Sequence, residues 1–252
     1  MGRGRKLGSI AAVVVIVVLG GLLVADRIAV GVAEHRVAEQ VKTELVVRDI
    51  TTGGTPSVNI AGFPFLTQVM AGEYGKIKIR IGEASASGIR FDAIDLAVST
   101  VRADTASLLR GSGTVTAATI TGTATLGWDA VQQALEISGL PAIDLSTVEL
   151  SVTDNVVNLR MPIVVYGKQL VLVADGTLQV QDGVIRLETT EVRAEGDTVG
   201  AVAQRVVARY GTLLNVEVNV PALPYRLTIR SVETRADGII VIVSADNVVL
   251  AG

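Results

Sequence analysis

The sequence predicts an α+β fold that is mostly β, in which a long, curved antiparallel sheet follows an N-terminal transmembrane or signal helix. Residues 76–81, KIKIRI, alternate cationic and isoleucine side chains, as a strand with one solvated face does. Turn residues such as Asp154 and Asn155 separate further alternating runs, which indicates hairpins. Residues 7–25 contain no charged side chain, which indicates a membrane segment.

The N-terminus has the features of a membrane anchor. The first six residues, MGRGRK, hold three positive charges, and a helix of residues 7–25 would extend about 28 Å, close to the roughly 30 Å hydrocarbon core. A signal peptide usually has a shorter apolar stretch and a small-residue cleavage site. Cleavage after Ala25 would put Leu23 at a position that favours small residues. We therefore favour an uncleaved anchor and keep cleavage as the alternative.

The basic start also predicts orientation and domain organisation, because Lys and Arg accumulate on the cytoplasmic side. Residues 1–6 are expected to be a cytoplasmic basic tail, and residues 7–25 the transmembrane anchor or signal peptide. Residues 26–47 are expected to form a juxtamembrane amphipathic helix, and residues 48–252 a single extracytoplasmic β-rich domain. The expected location is the extracytoplasmic face of the plasma membrane, in the cell envelope.

Apolar residues recur at helical spacing along the juxtamembrane segment. The predicted packing stripe is Ile28, Val32, Val37, Val41 and Leu45. Two shorter helices, one around Trp128 and one at 199–213, are expected to cover a sheet face. In TVTAATITGTATL, threonine occupies every second position, and this alternation shifts by one residue across Ala117 and Ala118. The shift predicts a β-bulge in a bent strand.

Composition excludes several kinds of chemistry. The chain has one histidine, His35, and no cysteine, so zinc sites built from several His or Cys ligands are excluded and triad catalysis would depend on His35. Without the three N-terminal cations, 19 basic residues face 25 acidic ones, a net charge of −6. That charge argues against nucleic acid as a partner. We predict no catalytic residue, no metal site and no cofactor.

Carboxylate chemistry is harder to exclude, because a glycosidase needs only two acids a fixed distance apart. Spacing along the sequence does not show which acids of the domain lie close together in the fold. Those near turns or helix starts, where acids are common, include Glu188, Glu191, Glu195 and Asp197. A carboxylate-dependent glycan hydrolase is therefore a remote alternative.

The most distinctive segment is 59–81, NIAGFPFLTQVMAGEYGKIKIRI. Pro64 fixes φ near a helix start, Gly72 ends a short apolar helical turn, and a strand begins at Tyr74. Its apolar side chains form either a core plug that seals one end of the sheet or a lip that faces lipid. The candidate lipid-binding residues are Phe63, Phe65, Leu66, Val69, Met70 and Tyr74.

This segment resembles the actinobacterial LmeA family of phospholipid-binding cell-envelope proteins. The family pattern combines an export segment, a G-F-P-F-L-T-Q motif, a G-x-Y strand and a C-terminal L-P-Y. Here these are residues 7–25, residues 62–68, Gly72 with Tyr74, and the end from Leu223 onward. The resemblance implies a fold similar to tubular lipid-binding (BPI-like) proteins, whose curved sheet wraps a helix around an apolar cavity.

The resemblance also implies a function. It is the non-catalytic binding, presentation or exchange of phospholipid or a related envelope lipid, in support of cell-envelope glycolipid (mannan) biosynthesis. The expected partners are a phospholipid or glycolipid, the plasma membrane through residues 7–25, and an envelope glycosyltransferase. The alternative is a ligand-free interaction module that organises an envelope enzyme through strand edges or a helix stripe.

Overall fold

A computed structural model of the chain describes residues 3–103, 113–137, 147–165, 168–195, 207, 216–218 and 223–251. The helices in this part are α1 (Arg3–Val47), α2 (Phe65–Ala71), α3 (Trp128–Ile137) and a 3-10 helix at Pro224–Arg226. The strands are β1 (Thr51–Thr52), β2 (Ser57–Ala61), β3 (Glu73–Ile81), β4 (Ala84–Ala86), β5 (Ile89–Phe91), β6 (Ala93–Ala103), β7 (Val115–Gly127), β8 (Glu149–Thr153), β9 (Val156–Val165), β10 (Lys168–Gln181), β11 (Val184–Glu195), β12 (Val216–Val218), β13 (Thr228–Arg235) and β14 (Gly238–Ala251).

The described strands form three antiparallel sheets. A six-stranded sheet has the order β13-β14-β7-β6-β3-β2, a five-stranded sheet the order β12-β11-β10-β9-β8, and a three-stranded sheet the order β1-β4-β5. Asp154 and Asn155 join β8 to β9 with positive φ values of 52° and 65°, which match the twist of hairpin strands. The predicted class is confirmed: an α+β fold, mostly β, with large antiparallel sheets after an apolar N-terminal helix.

The six-stranded sheet has one apolar and one polar face. In β3, Ile77, Ile79 and Ile81 are partly or fully buried, while Lys78 and the other cations of the strand are exposed. Strand pairing extends this alternation across the sheet, because residues directly opposite each other share a face. The alternation predicted from KIKIRI is confirmed.

The alternation changes phase at Ala118, where the sequence predicted a bulge, but no residue is inserted there. Thr100 and Asn247 lie opposite Ala118 on the flanking strands and have positive φ values of 50° and 53°. The pairing register is the same on both sides of this point. Ala117 and Ile120 are therefore both buried on the apolar face, which stays continuous along the sheet.

Buried clusters pack against the two ends of this apolar face. At one end, α3 and the five-stranded sheet enclose a cluster that includes Val131 and the fully buried Leu172. The indole N–H of Trp128 fixes α3 by donating a hydrogen bond to the carbonyl of Ala236 at 3.1 Å. The helix predicted around Trp128 is confirmed. The helix predicted at 199–213 lies outside the described residues, apart from residue 207.

Helix α1 runs without interruption from the N-terminal segment to the domain. Within Ile16–Val47 it contains a stretch of mean hydropathy 2.1, of which 11% is buried. By length and composition this helix is able to cross a membrane, as an anchor or a signal sequence does.

Helix α1 packs against β2 through alanine and valine side chains. Ala38 is buried, and Ala33 and Val37 join the same cluster. Of the predicted stripe, Val37, Val41 and Leu45 are half-buried, whereas Ile28 and Val32 are 63% and 51% exposed. The difference has a physical reason: alanine allows the helix to approach the strand closely, whereas the sequence pattern ranks the larger aliphatic residues first.

Asp175 is the centre of a polar network on the five-stranded sheet. Its carboxylate accepts hydrogen bonds from the guanidinium of Arg193 and, at 2.6 Å, from the side-chain amide of Asn158. The hydrogen bond from Arg193, with help from Asn158, holds the pKa of Asp175 below its usual value of 3.8, although partial burial opposes this.

Replacing Asp175 by asparagine is expected to weaken the acid sensitivity of the fold. Because the pKa of Asp175 is lower in the folded state, its ionised form stabilises the fold above about pH 3.8, and this contribution is lost as the pH falls through the folded-state pKa. The Tm of Asp175→Asn should therefore decline less steeply with acid than that of wild type. Thermal unfolding followed by circular dichroism measures this slope. The control is Asp182→Asn in an exposed turn, and equal slopes for both variants would contradict the prediction.

Candidate functional site

The GFPFLTQ segment connects β2 to β3 through α2. Pro64 stands at the N-cap, α2 begins at Phe65, and Gly72 ends it with a φ of 66°. The N–H of Gly72 donates a hydrogen bond to the carbonyl of Val69 at 3.3 Å. A left-handed glycine is a common helix end. The short helix predicted between Pro64 and Gly72 is confirmed.

Asp26 of α1 caps α2 from a distance. Pro64 supplies no capping side chain, and Oδ1 of Asp26 accepts a hydrogen bond from the backbone N–H of Leu66 at 2.8 Å, the role usually taken by an N-cap residue. Asp26 is 2% exposed, and its Oδ2 has no hydrogen-bond partner among the described residues. Asp26 is also the first charged residue after the apolar run 7–25. The bond therefore holds α2 at the point where this run ends.

Glu34 forms a second contact between α1 and the sheet. Its Oε1 accepts a hydrogen bond from the backbone N–H of Ile60 at 2.8 Å and one from the side-chain amide of Asn59 at 3.3 Å. Both residues belong to β2, the edge strand of the six-stranded sheet. Since edge strands present unpaired N–H groups, Glu34 satisfies one of them and fixes α1 along the edge.

Gln68 and Gly62 hold the segment together internally. Oε1 of Gln68 accepts a hydrogen bond from the backbone N–H of Gly75 at 3.2 Å. Gly62 has a φ of 111°, and a Cβ added there would lie 2.6 Å from Nε2 of Gln68. Position 62 therefore needs glycine for its backbone conformation and for the space that the Gln68 amide occupies.

Replacing Gly62 by alanine is expected to lower the free energy of unfolding by about 1–3 kcal/mol, the usual range for a strained backbone position. The added Cβ would also displace Gln68 from Gly75. Chemical denaturation of the full chain in detergent micelles measures the loss. Gly54→Ala is the control, because a Cβ at Gly54 meets no atom within 4 Å. A similar loss in both variants would contradict the role of position 62.

Three of the six candidate residues form a buried plug. Phe65 is 5% exposed and packs with Val69 and Tyr74 in the cluster beneath α1. The rings of Phe65 and Tyr74 are 6.2 Å apart and tilted by 40°, a favourable aromatic arrangement. We call Phe65, Val69 and Tyr74 the plug, because they fill the space between α1, α2 and the sheet.

Two other candidate residues face outward. Phe63 and Met70 are 55% and 88% exposed, and Leu66 is half-buried between the two sets. The guanidinium of Arg27 lies 5.0 Å from the centre of the Phe63 ring, within the range of a cation–π contact. We call Phe63 and Met70 the lip. Through Asp26 and Arg27, both are held beside the end of the apolar run.

An aliphatic strip lies on the apolar face, away from the lip. Ile79, Leu96 and Val243 are half-buried there, and strand pairing aligns them across the sheet with Gly122 between Leu96 and Val243. A Cβ on Gly122 would lie 2.7 Å from Cδ2 of Leu96, so the two side chains close over the glycine. We call Ile79, Leu96 and Val243 the aliphatic strip.

A groove of about 380 Å³ crosses the opposite, polar face of the same sheet. The resemblance implied a cavity with an apolar lining, whereas this open groove mixes polar side chains with apolar ones, among them Ile79 and Leu96. Its lining includes Asn59, Lys78, Arg80, Ala97, Thr121 and Ile242.

Two of the acids considered for glycan hydrolysis, Glu195 and Glu188, take part in polar contacts on the five-stranded sheet. Oε2 of Glu195 lies 2.9 Å from Nη2 of Arg160, and Oε1 of Glu188 accepts a hydrogen bond from Gln181 at 3.1 Å. Asp197 lies outside the described residues. Within the described part of the chain, no group of three or more His, Asp or Glu side chains is arranged to hold a metal ion.

Tyr225 of the C-terminal L-P-Y motif lies beside Arg48, the residue that follows the C-terminal end of α1. The guanidinium of Arg48 lies 5.8 Å from the centre of the Tyr225 ring. Arg27 and Arg48 are about 31 Å apart along an α-helix. The two motifs are therefore placed at opposite ends of the domain part of α1.

A comparison with known families covers most of the described domain. Residues 24–244 match the family described as LmeA-like phospholipid-binding. The chain belongs to this family. The matched region of this LmeA-like protein includes Asp26, α2 and Tyr225, and thus both motifs together with the part of α1 from residue 24 onward. No curated protein and no solved structure matches the chain.

Proposed function

We propose that this LmeA-like protein is a non-catalytic carrier that binds a phospholipid of the extracytoplasmic leaflet and exchanges or presents it. The observation that carries the proposal is the bond between Asp26 and Leu66, which holds the exposed lip beside the point of α1 where the apolar run 7–25 ends. In this proposal, residues 7–25 stay in the membrane as an anchor, and the domain stands on the extracytoplasmic side.

The chemistry of the lip suits the membrane interface. Phe63 and Met70 present an aromatic ring and a flexible thioether, and burying each in lipid is worth about 1.5–3 kcal/mol. Arg27, beside Phe63, can extend its charge to the headgroups while its stem stays in the apolar layer. The lip therefore enters the leaflet beside the anchor and disturbs the packing of the adjacent lipid.

The aliphatic strip is the proposed site for the acyl chains. Leu96 and Val243 join none of the buried clusters among the described residues, so they have surface left to cover. A bilayer already shelters acyl chains from water, so moving them to the strip releases little free energy. Near-neutral transfer favours exchange or presentation over storage.

We further propose that the presented lipid supports cell-envelope glycolipid (mannan) biosynthesis, with an envelope glycosyltransferase as the recipient. The family resemblance supports this role. A tethered site is also suited to it, because tethering keeps the effective concentration of the site high at the membrane.

Photo-crosslinking tests the proposal with the full chain in nanodiscs that contain a phospholipid with a photoactivatable acyl chain. Crosslinks to residues 7–25 are expected in every sample and measure the lipid supply. Crosslinks to the aliphatic strip are expected in wild type and should be lost in Val243→Gln. Val249→Gln is the matched control, since Val249 lies on the same strand and is 59% exposed. Crosslinks confined to residues 7–25 and the lip would favour the ligand-free interaction module instead.

A further inference from the structure

The outward side of α1 is apolar just beyond the apolar run 7–25. Ile28 and Val32 are 63% and 51% exposed, although the sequence pattern assigned both to a packing stripe. A helix that packs on a soluble domain usually presents polar side chains to water. The two side chains are therefore suited to a contact outside the domain.

This outward side points directly away from the domain. Asp26 marks the domain side of α1, because its carboxylate accepts a hydrogen bond from Leu66 of α2. Val24 and Ile28 are each two residues from Asp26, and an α-helix turns by about 100° per residue, so both lie about 160° away from Asp26 around the helix axis. Both side chains are exposed, whereas the cluster that joins α1 to the domain lies on the other side of the helix.

The charged residues at this level lie on other sides of the helix. Asp26 and Glu34 accept hydrogen bonds from the domain, and Arg27 contacts the aromatic ring of the lip. Arg36 is turned by about 80° from Ile28. The outward side therefore has no acidic residue, lysine or arginine for about two turns beyond the apolar run. Such a surface suits an apolar partner at the same depth.

Residues on the outward side combine glycine with larger aliphatic side chains. They are Val17, Gly21, Val24, Ile28 and Gly31, and we call them the seam. Their spacing of four and three residues is that of the contact line between paired helices. A Cβ at Gly21 or Gly31 would meet no atom within 4 Å, so each glycine leaves room for a neighbouring helix. Acyl chains cover any apolar surface and need no such spacing, so the seam favours a helix.

We propose that two copies of this chain pair in parallel through the seam. The basic N-terminus gives every copy the same orientation, so the same residues of two copies lie at the same depth. A two-fold axis along the membrane normal brings one seam against the other. Ile28 of each copy enters the hole between Val24, Ile28 and Gly31 of the other, as knobs enter holes in paired helices. The two domains do not collide, because each lies on the side of α1 opposite the seam.

The contact between the two helices ends close to His35. Glu39 and Lys42 follow on the same side of α1, and each would face the same charge in the second copy. Like charges repel, so the helices diverge there. Each lip lies with its domain on the outer side of the pair and keeps its access to lipid. The inference rests on the proposed anchor, because both apolar runs must stay in the membrane.

Disulfide crosslinking tests the seam in liposomes that contain the full chain. The chain has no cysteine, so each introduced cysteine reports one position. A disulfide requires Cα atoms about 4.4–6.8 Å apart, so Val24→Cys and Ile28→Cys are expected to give at least about fivefold more crosslinked dimer than the control. The matched control is Leu22→Cys. Leu22 is 56% exposed and lies at nearly the same depth, but it is turned by about 160° from Val24.

A second variant fills the gap at Gly31 without adding charge. Gly31→Leu, combined with Ile28→Cys, should reduce the crosslinked dimer to the level of the Leu22→Cys control, because the larger side chain keeps the helices apart. The domain should stay folded, since a Cβ at Gly31 meets no atom within 4 Å and leucine favours a helix. Far-ultraviolet circular dichroism measures the fold of this variant.

The possible outcomes separate the dimer from its alternatives. Equal crosslinking at Leu22 and Ile28 would indicate random collision and overturn the dimer. No crosslink at either position in the intact chain would also overturn it and leave the seam to lipid. Mass spectrometry identifies the intact chain, and a mature chain that begins near Asp26 would overturn the anchor together with the dimer. Lipid crosslinks to the aliphatic strip should persist in Gly31→Leu, so failure of the dimer is distinguishable from failure of the lipid carrier.

Discussion

Phe65→Ala is expected to lower the free energy of unfolding by about 3–5 kcal/mol, the usual loss for a buried phenylalanine. The ring is 5% exposed and packs against Tyr74 and the underside of α1. Its removal leaves a cavity that α1 and the sheet cannot close, because Asp26 and Glu34 hold the helix at a fixed distance. Phe63→Ala is the matched control. That ring is 55% exposed, so a loss of at most about 0.5 kcal/mol is expected.

Chemical denaturation of the full chain in detergent micelles measures both losses. The far-ultraviolet β signal should be followed, because the apolar part of α1 stays helical in micelles. Equal losses for Phe63→Ala and Phe65→Ala would show that the plug and the lip are not separate. The sequence left both interpretations of the segment open, and the structure buries Phe65 while it exposes Phe63, two residues away.

Local patterns explain which parts of the fold were predictable. The alternation in KIKIRI reports a strand with two different faces, and the turn at Asp154 and Asn155 reports a hairpin. Pro64 and Gly72 mark the two ends of α2 because each restricts or permits particular backbone angles. These features depend on neighbouring residues, so a single sequence contains them.

The contacts that position the candidate site depend on residues far apart in the chain. The bond from Leu66 to Asp26 joins residues 40 positions apart, and the bond from Ile60 to Glu34 joins residues 26 positions apart. In the sequence, Glu34 is simply a polar position of an amphipathic helix. One signal was available for Asp26, since it follows the apolar run directly and α2 has no cap of its own.

The position of the phase change at Ala118 was predictable, but its backbone structure was not. The threonine phase change marks it, but a bulge and a pair of left-handed residues produce the same change. Thr100 and Asn247 adopt positive φ values without a sequence signal in the case of threonine, because β-branched residues rarely do so. Only the pairing register separates the two forms.

Replacing both lip residues by serine, Phe63→Ser with Met70→Ser, should slow phospholipid transfer by about tenfold or more. Together the two side chains are worth roughly 3–6 kcal/mol when buried in lipid, and each 1.4 kcal/mol corresponds to a factor of ten in an equilibrium constant. The anchor keeps the variant on the membrane, so a lower rate reports the lip and not a loss of attachment. Transfer of a fluorescent phospholipid from donor proteoliposomes to acceptor vesicles measures the rate.

The control for the lip must remove exposed apolar side chains from another part of the domain. Val164 and Val249 are 68% and 59% exposed and lie on β9 and β14, away from α2. Serine at both positions should leave the transfer rate unchanged. Equal slowing in the two double variants would mean that any exposed apolar surface supports transfer, and no slowing in either would remove the lip from the mechanism. Slowing confined to Phe63 and Met70 is expected, because only these side chains are held at the end of the apolar run by Asp26 and Arg27.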